Sequence, residues 1–244
     1  MRVVISQPML FPWVGLLEQV RLADVYVHYT DVQFSKGSFV NRVQVKTAKG
    51  PRWMTVPLAE MHLGQRIDQV RASELRPWRE EHLALLTDAH ADAPHCNTML
   101  ELVRGVYARD YADIGALTTE SLLSLCRYFG LDRDCRFVDI GDLGVGGNGS
   151  ARVLEIVASL GGTTYVTGHG AAGYLDHAAF ERCGIVVEYM DYAMAPYPQL
   201  HGAFTPFVSA LDLVANAGPR GVDYIRPRTI SWKDFPNNER DRAL

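Results

Sequence analysis

Four short stretches of this 244-residue chain concentrate side chains that can do chemistry. In TTYVTGHGAAGYLD, His169 stands between Gly168 and Gly170, just past a β-rich run. Flanking glycines let a backbone approach a ligand, and an imidazole moves protons near neutral pH, so His169 is a candidate general base. A turn histidine satisfied by its own backbone is the alternative. In TDVQFSKGSFVNR, Asp31, Gln33, Lys36, Asn41 and Arg42 gather in one span, and Lys36 and Arg42 suit a carboxylate or phosphate. SQPMLFPWVG and YPQLHGAFTPF compress prolines and aromatics around Gln7, Phe11 and Pro12 in the first case and Tyr197, Gln199 and His201 in the second. Such residues lose little conformational freedom on ordering, so these loops are built to hold a geometry. At one sheet edge they would wall one pocket, with Gln7 and Gln199 in a shared cleft.

Other patterns carry less. Gly144, Gly146 and Gly149 spell G-x-G-x-x-G between a strand and a helix, but the next strand, TTYVTGHG, has no acidic residue to hold a ribose. The match reads as accidental, although the amides of the following helix could hold a phosphate. DAHADAPHC gathers Asp88, His90, Asp92, His95 and Cys96 without the i, i+4 spacing of a helical metal site, and reads as a solvated helix end. No G-x-S-x-G elbow anchors a serine hydrolase. Cys96, Cys126, Cys135 and Cys183 form no C-x-x-C or disulfide pattern, which fits a reducing cytoplasm, and Cys126 in LLSLCRYFG reads as a buried thiol. No metal and no cofactor is expected.

The elements that must position these residues follow from periodicity. VVIS, VGLLEQVRLA and VYVHY read as strand, helix and strand, a unit that favours a parallel pair with a right-handed crossover. KGSFVNRVQVKTAKGPRWMTVPL alternates on both sides of AKGP, as a hairpin does. Residues 60–135 form a mostly helical insertion: a polar excursion, then PWREEHLALLTDAH opened by Pro77 and TTESLLSLCRYFG closed by Gly130. A glycine-rich loop then feeds a helix capped by Ser150. TTYVTG and IVVEYMDY are the last clear strands, with AAFERCG between them, and residues 230–244 are a C-terminal tail. The expected architecture is one α/β domain over residues 1–244, a Rossmann-like, mostly parallel sheet with a helical layer in the middle of the chain.

A net charge of −4 gives no reason to expect a nucleic-acid or anionic-membrane partner. Gln7, Pro8 and Pro12 break the opening apolar stretch, which excludes a signal peptide, and no run approaches a membrane span, so a cytoplasmic protein is expected.

The ordered set SQPMLFPWVG, DVQFSKGSFVNR, RWMTVPL, PWREEHL, LGGTTYVTG and YPQLHGAFTPFVSALDL resembles the WbqC-like protein family along nearly the whole chain. The matching positions include Gln7, Phe11, Pro12, Asp31, Gln33, Asn41, Arg42, Trp53, His82, Tyr174, Tyr197 and Gln199. Members are associated with O-antigen and other surface-polysaccharide gene clusters and with specialised-metabolite pathways. The resemblance therefore implies biosynthetic group transfer on a sugar or decorated small molecule. More faintly, the opening turn is similar to the strand–turn–helix of HIGH-type nucleotidylyltransferases, but Trp13-Val14-Gly15 replaces their histidine motif and nucleotidyl transfer is unsupported.

The function expected is acyl or aminoacyl transfer onto an amine of an amino sugar or metabolite intermediate. His169 or His82 would be the base, with Asp31 a further catalytic candidate. Lys36 and Arg42 would hold an anionic part of a substrate, and Gln7 and Gln199 would donate to a carbonyl oxygen. Trp53, Tyr174, Tyr197 and His201 complete the binding set. The alternative is a non-catalytic module that binds a sugar nucleotide or a carrier-bound intermediate through the stacked aromatics Trp13, Trp53, Tyr174 and Tyr197.

Overall fold

Val3, Val4 and Ile5 are β-branched and buried on both faces, as a parallel strand covered by helices on each side requires. They form β1 (Arg2–Ser6) in a computed structural model that describes residues 1–236. A proline-bearing turn leads to α1 (Val14–Leu22) and on to β2 (Val25–His28), which pairs parallel to β1.

The chain then leaves the sheet for β3 (Arg42–Thr47) and β4 (Gly50–Thr55), an antiparallel hairpin, and for α2 (Trp78–His90), α3 (Cys96–Tyr107) and α4 (Ile114–Phe129). Gly130 ends α4 in the left-handed conformation as expected, with its N–H returned to Arg127 O. β5 (Arg136–Asp139) re-enters beside β2. Then come α5 (Gly149–Ser159), β6 (Thr164–Thr167), α6 (His177–Arg182), β7 (Val186–Met190), α7 (Leu211–Ala217) and β8 (Thr229–Ser231).

The strand order is β5-β2-β1-β6-β7-β8, parallel throughout except for β8, which runs antiparallel to β7. This is a Rossmann-like α/β fold. The order reverses at β1: one crossover leads outward to β2 and the return from β5 lands β6 on the other side. In open α/β sheets that reversal leaves a crevice at the carboxyl ends of the two central strands, here just past Ser6 and Thr167.

Alternation along the strands divides the core. Val4, Tyr26 and Val166 face a layer made of α1, the helices of the central insertion and α7, whereas Val3, Ile5, Val27 and Tyr165 face α5 and α6.

Several local expectations are corrected. Asn148, in extended backbone, is the N-cap of α5, while the Ser150 hydroxyl accepts a hydrogen bond from Asp176 N instead. His90 is not on a solvated helix end: it is buried against α7, with Nε2 3.2 Å from Asp212 Oδ1. No cluster able to hold a metal occurs among the described residues. At the start of the expected tail, β8 forms the sheet edge, and Trp232 and Phe235 pack on the core. Residues 237–244 of that tail lie outside the described residues. No helix among the described residues is long and apolar enough to cross a membrane.

Candidate functional site

A cavity of about 580 Å³ opens at the switch point, lined by the end of β1, the opening turn, the start of the loop after β6, and residues from β3 and the loop after β7. Seven of its lining side chains are Phe, Tyr or Trp, and none is Lys, Arg, Asp or Glu. Such a space suits an uncharged or ring-bearing group, held by stacking and a few hydrogen bonds.

The opening turn builds one wall. Phe11 adopts φ 36°, a left-handed conformation rare for a large side chain. It is clamped from two sides: its N–H donates to Ser121 Oγ at 2.9 Å and its carbonyl accepts from Ser209 Oγ at 2.7 Å. Trp13 follows, its ring folded over Gly15, where a Cβ would come within 2.6 Å of the indole. Only glycine leaves room for that ring, which packs on Tyr192 at 4.8 Å and on Phe207 at 6.1 Å between centroids.

The loop after β6 supplies the titratable group. His169 Nε2 lies 2.7 Å from Met190 O, so that nitrogen carries the proton and donates it to the carbonyl. Nδ1 is then the nitrogen able to accept a proton, and the ring's hydrogen bond among the described residues is made by Nε2. The ring is held between Tyr192 and Phe235, at 5.1 and 4.9 Å. Gly168 is needed for a close approach, because a Cβ there would meet the Tyr192 hydroxyl at 2.9 Å. That hydroxyl accepts from Gln19 Nε2 at 2.7 Å, and burial pushes it up to about 12. It therefore stays protonated, and Tyr192 is part of the cavity lining.

Of the residues singled out from the sequence, Gln7, Pro12, Trp13, His169 and Tyr174 line this space, and Phe11 shapes it from behind. The others lie elsewhere. His82 is buried, with Nδ1 2.8 Å from Tyr107 Oη and Nε2 3.1 Å from Thr55 O; burial lowers it to about 4, so it ties α2 to β4 as a neutral ring. Asp31 pairs with Arg152, whose guanidinium also holds Val145 O at the entry to α5. Asn41 donates to Val56 O. Arg42 donates to Gly37 O and lies 4.1 Å from the centre of the exposed Trp53 ring. Gln33 and Lys36 are exposed.

The second aromatic loop contributes only Phe207. Tyr197 donates to Asp212 Oδ2, Gln199 bonds Lys46, Tyr197 and Thr205, and His201 bonds Ala89 O. Gln7 and Gln199 are thus not brought into one cleft: Gln199 holds its own loop shut. Sequence reading missed Tyr192 and Gln19, whose signal would have been a polar residue on the apolar face of α1. It also missed His28, buried at the end of β2 with neither ring nitrogen hydrogen-bonded and its basicity lowered by that burial.

Among curated proteins, uncharacterized protein Rv1507c of Mycobacterium tuberculosis is 28% identical over 229 residues, covering 92% of this chain and 97% of that one. No solved structure matches. A profile of the WbqC-like protein family matches residues 7–224, from the opening turn past the second aromatic loop, and the chain belongs to that family.

Proposed function

We propose that this protein is a biosynthetic transferase that moves an acyl or aminoacyl group onto an amine of an amino sugar or related metabolite intermediate, with His169 as the base. The observation that carries the reading is the His169 geometry: Nε2–H anchored on Met190 O, in a ring that lines a cavity. Anchoring one nitrogen on a carbonyl selects the tautomer in which the other can accept a proton.

With a thioester donor, the acceptor nitrogen attacks the carbonyl carbon. As the N–C bond forms, the amine proton passes to Nδ1; as the C–S bond breaks, Nδ1 returns it to the departing thiolate. The Tyr192 O–H donates to the carbonyl oxygen while that oxygen carries negative charge. The test is mass spectrometry of mixtures of amino sugars with acyl and aminoacyl donors, after thermal-shift screening has chosen pairs that stabilise the protein. In an active mixture, His169→Ala should lower turnover about a hundredfold or more. Unchanged turnover would remove His169 from the mechanism.

A second reading is favoured by the seven Phe, Tyr and Trp rings of the cavity lining, which can stack on a ligand without any chemistry: a non-catalytic module that holds the uncharged ring of a sugar nucleotide or the arm of a carrier-bound intermediate. Stabilisation by ligand with no product in any mixture would select it.

A further inference from the structure

From Val32 to Ala59 the chain carries five cations, Lys36, Arg42, Lys46, Lys49 and Arg52, and no acid, although the protein as a whole is acidic. This segment is β3, β4 and the loop leading into them. Lys46 is consumed internally, its ammonium donating to Gln199 Oε1 and to the carbonyls of Gly202 and Ala203. The other four reach the surface, and none makes an ion pair among the described residues, whereas Lys and Arg elsewhere form many. Among them sit Phe39 and Trp53, 48% and 42% exposed and 5.8 Å apart, with Arg42 stacked on the indole. Phe39 is also part of the cavity lining, as is Val43 of β3, so this basic, aromatic surface is continuous with the cavity rim.

We infer that the β3–β4 hairpin is a docking surface for a small acidic carrier protein, which presents an acyl group on a phosphopantetheine arm at the cavity. A neutral cavity beside an unpaired positive rim suits a partner whose charge stays outside while an uncharged arm goes in. The spread of charge separates the carrier from a free coenzyme. Lys49 lies at the hairpin tip, Arg52 midway along β4 opposite Val45, and Lys36 and Arg42 at the base, and the ladder between the Arg42–Thr55 and Thr47–Gly50 pairs is about 17 Å long. A diphosphate needs cations converging on one point, whereas a folded protein partner can meet charges spread along the hairpin. Trp53 and Phe39 supply the apolar anchor that a protein interface places among its charges. Nucleic acid is disfavoured, since its affinity rests on clustered cations that neutralise successive phosphates, and only four unpaired cations stand here on a protein of net charge −4.

Delivery of a thioester rests on the acyl-transfer reading; the docking does not. The test uses a dye-labelled, phosphopantetheine-bearing acidic acyl carrier protein and the intact chain, read by fluorescence anisotropy. Binding at low salt should weaken about tenfold or more on raising salt from about 25 to about 300 mM, and by a similar factor in the K36E/K49E/R52E variant, with the melting temperature unchanged. Turnover or cavity binding of the neutral N-acetylcysteamine thioester should be the same in both proteins. No carrier binding to the wild type, binding indifferent to charge reversal, or tighter binding of a single-stranded RNA oligomer would each overturn the docking proposal. None of these outcomes touches His169, whose role is read with the free thioester.

Discussion

Replacing Glu18 with glutamine should stabilise the protein at pH 8 and leave it unchanged at pH 4.5. Glu18 lies on α1 and is 1% exposed; Oε1 accepts from Arg226 N at 3.2 Å and Oε2 has no partner. Burial, reinforced by nearby Asp191 and opposed by the Arg226 N–H, raises its carboxyl from 4.5 to about 7. Between those values the unfolded chain has lost the proton while the folded chain keeps it, so stability falls as pH rises through the window. Integrated, the loss above pH 7 is about 3 kcal/mol. Glutamine preserves the acceptor for Arg226 N and never ionises, so E18Q should recover about 2–3 kcal/mol at pH 8. His82 acts in the opposite sense: burial lowers it from 6.5 to about 4, so the unfolded chain binds its proton first and stability falls as pH drops from 6.5 to 4, by about 3 kcal/mol in all. The two slopes offset each other in the wild type. Urea unfolding followed by tryptophan fluorescence at pH 4.5, 6 and 8 measures the outcome: the E18Q gain should grow with pH and expose the His82 slope. A gain that is equal at pH 4.5 and 8, or a loss at pH 8, would refute the reasoning.

Further outcomes follow from the same geometry. Gly168→Ala drives a methyl group against the Tyr192 hydroxyl, so it should lower turnover and the Tyr192-dependent part of ligand binding while sparing the rest of the fold, as checked by kinetics beside a melting curve. Tyr192→Phe should cost about tenfold or more in kcat with little change in KM if its O–H acts only on the developing oxyanion; an equal effect on KM would assign it to ground-state binding. Tyr197→Phe leaves Asp212 Oδ2 and Gln199 Nε2 each short of a partner in a buried network, and should cost about 1–3 kcal/mol in chemical denaturation.

Much of the scaffold was legible because its signals are local. The β-branched run of β1, the helical spacing of α1, the alternation around AKGP and the glycine after α4 each act through neighbouring residues. The three-residue β8 is too short to announce itself, and it exists because β7 offers an open edge. The site was harder to read for a different reason. A polar side chain in a stiff loop looks the same whether it faces a ligand or a nearby carbonyl. Gln7 and Gln199 occupy similar sequence surroundings, yet Gln199 is drawn inward by Lys46, Tyr197 and Thr205, partners set by long-range packing. His82 has the chemistry of a base and the surroundings of a tie between Thr55 and Tyr107. His169 could be singled out because its flanking glycines report a close approach, which the Tyr192 hydroxyl then makes.

The strained Phe11 turn links these levels, and two serines test it. Left-handed backbone costs a non-glycine residue about 1–2 kcal/mol, and it persists only where the surroundings over-determine it. Here Ser121 of α4 takes the Phe11 N–H while Ser209, ahead of α7, takes its carbonyl, and Trp13 pairs with Ser209 in an antiparallel bridge. If the clamp holds Trp13 over Gly15, Ser121→Ala and Ser209→Ala should each destabilise by about 1–3 kcal/mol through an unpaired buried backbone group. Each should also weaken cavity ligands, because the indole loses its fixed position. Together they should cost less than the sum of the two, since release of either side already lets Phe11 relax toward negative φ. A double-mutant cycle by urea unfolding, with ligand dissociation constants measured in parallel, separates the possibilities: strictly additive losses would mean that the two serines act independently and that no shared strain is stored at Phe11.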